Sequence, residues 1–195
     1  SLYKGVLLLA VSVDGQNQNS VLAYGIVETE NNESWEWFME SLKSALDISS
    51  GDKLVFISDR DNGLMNSVLK VFPESVHAYC IVHLAKNVAQ KFSKECADLV
   101  KAARYATTKV KFEDILGRIR VLSPLAHEYI AKVEPEHWAE ACFELKRYGH
   151  CTSNAVEQMN NVFLKIREKA HLFVLLEINA YISKKFYEHK IEGKT

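Results

Sequence analysis

Apolar residues run almost unbroken from Gly5 to Val13 and again from Ser20 to Val27, and the stretch between them, Asp14-Gly15-Gln16-Asn17-Gln18-Asn19, is rich in turn formers. That pattern predicts a β-hairpin. From Ser34 the spacing changes, with Trp35, Phe38, Met39, Leu42 and Leu46 recurring at helical intervals until Ser49-Ser50-Gly51-Asp52 ends the element. Lys53 to Ser58 has the make-up of a short buried strand, Asn62 to Val71 of a helix halted before Pro73, and Val76 to Tyr79 of a second short strand.

The order so far is β-β-α-β-α-β, which predicts an α/β fold. After Cys80 the periodicity is helical almost throughout, with breaks at Ser93, near Thr107-Thr108, at Ser123-Pro124 and at Glu134-Pro135. A helical block is therefore expected over 84–148, followed by a helix after Cys151 and a last one over 172–190. No repeat, low-complexity segment or linker interrupts the chain, so the expectation is one domain over 1–195 with a helical insertion.

Composition narrows the classes. The 195 residues are 48% hydrophobic, enough for one well-buried core. No run approaches the ~18 apolar residues of a membrane helix, no charged-then-apolar leader opens the chain, and a soluble protein without a membrane partner is expected. Cys80, Cys96, Cys142 and Cys151 lack the spacing of a disulfide scaffold. The net charge of -1 leaves any nucleic-acid surface to local clusters. Two clusters qualify, Lys101, Arg104, Lys109 and Lys111, and further on Lys165, Arg167 and Lys169, although a solvated helix face is the better account of either taken alone.

Two carboxylates carry a chemical argument. Asp59 stands where the apolar strand gives way to a turn, and ligand-binding groups collect at the carboxyl ends of strands in open α/β sheets. The competing role is capping of the helix near Asn62, for which Asp61 is the better placed. Glu157, three residues after Asn154, fits a capping box, or a polar helix face that could line a cleft but on the residues alone is better read as facing water. On a helical wheel Ala155, Met159, Val162, Phe163 and Ile166 form an apolar stripe roughly opposite it. Asp14 belongs to the hairpin turn. Cys80 and His83 make a Cys-x-x-His pair three apart with Asn87 a turn beyond, and a buried cysteine beside a hydrogen-bonded histidine is the ordinary explanation. Zinc is not expected in this segment, since no second short-spaced pair accompanies them; His77, His127, His137 and His171 show no ligand spacing.

Taken together, Trp35-Glu36-Trp37-Phe38, Ile57-Ser58-Asp59-Arg60, Tyr79-Cys80-Ile81-Val82-His83-Leu84-Ala85-Lys86-Asn87 and Ser153-Asn154-Ala155-Val156-Glu157 resemble the catalytic core of the Mutator-like (MULE) transposases of the DDE superfamily, over nearly the whole chain. The resemblance implies a ribonuclease H-like core with an all-helical insertion before its last helix, and metal-dependent DNA strand cleavage and transfer at transposon ends. It implies Asp59 as the second triad aspartate and Glu157 as the triad glutamate, both ligands of two Mg2+ or Mn2+ ions, with Cys80 and His83 structural or auxiliary. DNA, a homo-oligomeric active complex and a nuclear location follow from it.

The amino end departs from the family pattern. In relatives the first triad aspartate lies on a strand just before the segment matching Leu2-Tyr3-Lys4-Gly5, so the expectation is a core truncated at its N-terminus, lacking its first central strand and inactive as an isolated piece. A gap of roughly twice the ~4.8 Å strand spacing is then expected between the strands at Gly5–Val13 and Lys53–Ser58, unless the two pair directly. The alternative function is a domesticated, catalytically inactive relative acting as a DNA-associated transcriptional regulator or interaction platform.

Overall fold

The computed structural model describes residues 5–14, 17–49, 51–145 and 149–192. Leu2, Tyr3 and Lys4, the turn residues Gly15 and Gln16, Ser50, and the end of the expected helical block at 146–148 lie outside the described residues. The fold is α/β, with four strands and eight α-helices among the described residues, and it divides into two compact units, Ser1–Leu46 with Asn154–Thr195, and Asp47–Ser153.

The first unit is built on the expected hairpin. Strands β1 (Val6–Val13) and β2 (Asn19–Val27) pair antiparallel, and Asp14 closes their turn, its Oδ1 accepting from the Gln18 N–H at 2.8 Å. Leu7 and Leu9 point to one face together with Tyr24 and Ile26, across from α7 (Asn154–Phe163) and α8 (His171–Glu192), whose Met159, Phe163, Val174 and Ile178 complete that core. The register shifts between Ala10 and Val11, where Leu22 becomes an extra, exposed residue. That bulge returns Val21 to the buried face; without it the alternation of a strand would have turned Val21 outward.

The opposite face, carrying Leu8 and its cross-strand partner Gly25, lies under α1 (Asn32–Ala45). The helix starts at Asn31, whose side chain accepts from the Ser34 N–H at 2.8 Å, and it buries Trp35, Phe38, Met39 and Leu42, while Leu46 falls at its end and is exposed. A Cβ on Gly25 would stand 3.0 Å from Trp37 Cζ3 and 3.1 Å from Phe38 Cδ2. Trp37 is half exposed and has room to swing, whereas Phe38 is buried and has none. Gly25→Val is therefore expected to destabilise the chain by about 1–3 kcal/mol, read as a lower urea midpoint; an unchanged midpoint would show that α1 is not held against β2.

In the second unit β3 (Val55–Ser58) and β4 (Val76–Tyr79) pair in parallel, Val55 with Val76 through Ser58 with Tyr79. A parallel pair needs a crossover, which α2 (Asn62–Val71) supplies. Four helices follow, α3 (Ile81–Lys91), α4 (Lys94–Arg104), α5 (Lys109–Leu122) and α6 (Pro124–Ala131). The predicted breaks are their caps: Ser93, Thr108 and Ser123 each accept a backbone N–H three residues on, and Pro124 occupies the first turn where its missing N–H costs nothing.

The helical block is shorter than its periodicity suggests. Helix α6 ends at Ala131, only a single 3-10 turn, Pro135–His137, follows, and the described residues from Trp138 to Leu145 are turns, bends and irregular chain. Trp138 explains the deviation: it is fully buried against Phe112, ring centroids 5.5 Å apart, and its Nε1 donates to the Val133 carbonyl at 3.1 Å. Pro135, which cannot donate to a continuing helix, marks the break, and the chain folds back after it to bury this indole. Arg104, expected among the exposed cations, is also drawn inside, paired with Glu140 at 3.4 Å.

Candidate functional site

Asp59 is the residue immediately after β3, and it is exposed. Helix α2 takes its cap from Asp61 instead, whose Oδ1 accepts the Leu64 N–H at 3.0 Å. Capping therefore leaves Asp59 available, and among the described residues no hydrogen bond or ion pair engages its carboxylate. It opens onto a cleft of about 570 Å³ shared with Cys80, His83 and Asn87. The strand end and the start of α3 thus bring four of the sequence-selected residues to one place.

Cys80 is the residue that caps α3 rather than a member of it, with φ −62 and ψ 117. It is buried, and its Sγ accepts the Ser153 N–H at 3.3 Å while the Ile81 N–H donates to the Cys151 carbonyl at 3.0 Å. The thiol thereby fastens the 151–153 segment to the base of α3. His83, one turn into the helix, is half-buried and lines the cleft. Arg60 and Tyr79, from the same two motifs, also line the cleft, and the part not legible from spacing is the wall at Lys132 and Glu134.

A run of polar contacts leads from the end of β3 to the buried His77. Ser58 Oγ donates to the Asp59 carbonyl at 2.7 Å, so His77 Nε2, also 2.7 Å from that oxygen, is the donor in its contact. His137 Nδ1 donates to the His77 carbonyl at 2.6 Å, and its ring stacks on Tyr79 at 4.8 Å. Burial raises the Tyr79 hydroxyl pKa, with Glu134 adding to the effect and Arg60 opposing it. These contacts hold the β3 terminus, and with it the backbone of Asp59, in one conformation.

Burial, and secondarily the charge of His137, lowers the His77 pKa from 6.5 to about 4. Between those values the unfolded chain takes up a proton that the folded chain refuses, so stability that is complete above about pH 6.5 falls as the pH drops and levels off near pH 4. The difference corresponds to roughly 3 kcal/mol. Urea midpoints followed from neutral pH down to about pH 4 should show this loss, and His77→Asn should flatten it; an equally steep loss in the variant would assign it to other groups.

Glu157 belongs to the other unit, in the first turn of α7. That helix buries Met159 and Phe163 toward β1, half-buries Ala155 and exposes Glu157, as its apolar stripe requires; Val162, at the edge of the stripe, is exposed, and Ile166 falls beyond the helix, in a separate 3-10 turn over Ile166–Glu168. Asn19 Nδ2 donates to Gln158 Oε1 at 2.8 Å, tying the helix start to β2. Among the described residues no three His, Cys, Asp or Glu side chains gather in a way that could hold a metal ion.

Comparison with known proteins bears on the segment that carries Asp59. Residues 1–87 match the MULE transposase domain, from the β1–β2 hairpin through the Cys80/His83 pair to Asn87. That segment is similar to a MULE transposase domain. It is 21% identical over 184 residues to the transposase for insertion sequence element IS1201 of Lactobacillus helveticus, covering 89% of this chain and 49% of that protein. It is 28% identical over 138 residues to the transposase for insertion sequence element IS256 in transposon Tn4001 of Staphylococcus aureus, covering 70% and 33%. To Protein FAR1-RELATED SEQUENCE 4 of Arabidopsis thaliana it is 31% identical over 85 residues, 43% of this chain and 11% of that protein. The chain spans about half or less of the length of these relatives.

The MULE match reaches every sequence-selected residue of the cleft, Asp59, Cys80, His83 and Asn87, and stops before Glu157. Of the basic clusters, the one on α4 and α5 loses Arg104 to the interior and has Lys101 paired with Asp98, leaving Lys109 and Lys111 exposed. In the other, Lys169 pairs with Glu177. No helix among the described residues is long and apolar enough to cross a membrane.

Proposed function

We propose that this chain forms part of the ribonuclease H-like catalytic core of a Mutator-like DNA transposase, in which Asp59 and Glu157 act in metal-dependent cleavage and transfer of DNA strands. The observation that carries the proposal is the position of Asp59: an exposed carboxylate at a strand's carboxyl end, relieved of capping by Asp61, lining a cleft and itself inside the MULE match.

The donor chemistry fits. Mg2+ and Mn2+ prefer carboxylate oxygens, and Asp59 and Glu157 are both exposed. Bound there with further oxygen donors, such ions would stabilise charge on the attacking and leaving oxygens of a phosphoryl transfer. The chain's own contribution is positional. The Ser58–His77 contact fixes the backbone at Asp59, and docking of α7 through Met159 and Phe163 fixes the turn that bears Glu157.

The test is excision of the protein's own element by the complete parent protein, with Glu157→Gln compared against the unchanged protein. Removing a metal-binding carboxylate forfeits several kcal/mol of transition-state stabilisation, so excision is expected to fall about a hundredfold or more at unchanged protein level. Full excision by Glu157→Gln would remove Glu157 from the site. A parent protein that binds DNA yet never excises would instead support the domesticated, regulatory function.

A further inference from the structure

The cleft beside Asp59 has a cationic flank that the second-aspartate role does not use. Arg60 Nη2 donates to the Tyr129 hydroxyl at 2.8 Å, and its guanidinium carbon lies 5.9 Å from the centre of that ring. Lys91 Nζ sits over the same ring at 4.5 Å. Tyr129 comes from α6 and Lys91 from the end of α3, so the helical block places both against the residue that follows Asp59. Lys132, just past α6, lines the cleft itself.

Among the described residues no carboxylate forms an ion pair with Arg60, Lys91 or Lys132. Two cations gathered on one ring repel each other. The ring's negative face offsets part of that cost, and an anion between them would offset the rest. The acids lining the cleft form no ion pair with these cations: Asp61 caps α2, Glu134 lies 3.3 Å from His137, and the Asp59 carboxylate engages no partner among the described residues. Arg60 also donates through a planar fork suited to phosphate oxygens, and the Tyr129 hydroxyl restricts how that fork turns.

We infer that Arg60, oriented by Tyr129 and joined by Lys91 and Lys132, binds a backbone phosphate of the DNA strand brought to Asp59. The helical block thereby supplies a positioning residue, Tyr129, and part of the strand-binding surface. The inference rests on the transposase reading for the identity of the strand, but it concerns binding rather than cleavage.

The experiment measures affinity of the complete parent protein for a fluorescein-labelled DNA duplex over a series of salt concentrations. Each phosphate that goes unneutralised makes the slope of log K against log salt shallower by about 0.9. Arg60→Gln is expected to flatten the slope by that amount and weaken binding several-fold at low salt. Tyr129→Phe, which keeps the ring and removes the hydroxyl, should show a smaller effect that adds nothing on top of Arg60→Gln. Unchanged affinity and slope in Arg60→Gln overturn the inference, and so does inorganic phosphate at micromolar concentration displacing the duplex, since that would mark a site for the free anion. Asp59→Asn separates the two claims: lost excision with Arg60→Gln binding like the unchanged protein leaves the transposase reading standing alone, and intact excision with weakened Arg60→Gln binding leaves this inference standing alone.

Discussion

Asp59→Asn in the complete parent protein is expected to lower excision about a thousandfold while leaving the fold and its stability as they were. The substitution removes one negative charge and keeps the shape of the side chain. Because Asp59 is exposed and engages no partner among the described residues, nothing in the folded chain depends on its charge. What depends on it is the proposed pair of metal ions, whose contribution to phosphoryl transfer is several kcal/mol, each 1.36 kcal/mol being a factor of ten in rate. Asp61→Asn is the matched control: asparagine caps as well as aspartate, so excision should survive with a near-native urea midpoint. Equal loss of excision in both variants would mean that the strand end is sensitive to charge in general, and Asp59 would have no special claim to the site.

Much of this could be foreseen from the residues, and the failures share a cause. The hairpin, α2, β4 and the helix caps follow from signals within a few residues of one another: apolar runs bounded by turn formers, Pro73 after Val71, and serines and a threonine three residues ahead of the N–H groups they accept. Asp61 as the cap, and Asp14 as the closer of its turn, belong to the same kind. The bulge at Leu22 left no trace, because the extra residue is as apolar as its neighbours and only the pairing with β1 shows which one is surplus. Nor could spacing find Tyr129, which meets Arg60 across 69 positions, or Lys132. The helical run past Ala131 was overestimated because Trp138, Ala139 and Cys142 continue an apolar period whose burial is achieved by turns.

Arg104 shows the same limit from the opposite side, and it leads to the second large effect. In a stretch that reads Lys101, Arg104, Lys109, Lys111 it passes for a surface cation, yet its side chain is 3% exposed, stacked on Tyr105 at 4.6 Å and paired with Glu140 at 3.4 Å. Its Nε and Nη2 are buried with no hydrogen-bond partner among the described residues, so Glu140 is the one carboxylate balancing a buried charge. Glu140→Ala should therefore cost about 3–5 kcal/mol, the loss typical when half of a buried pair is removed. Arg104→Met should behave differently. It replaces the buried cation with an apolar chain of similar length, and Glu140, at 35% exposure, keeps access to water. That variant is expected to be near neutral, and the double variant close to Arg104→Met alone, so the cost of Glu140→Ala largely disappears once the arginine is gone. Urea unfolding of the four proteins measures all of this in one double-mutant cycle. Strictly additive losses would place Arg104 at the surface after all, among the exposed cations where its sequence context alone would put it.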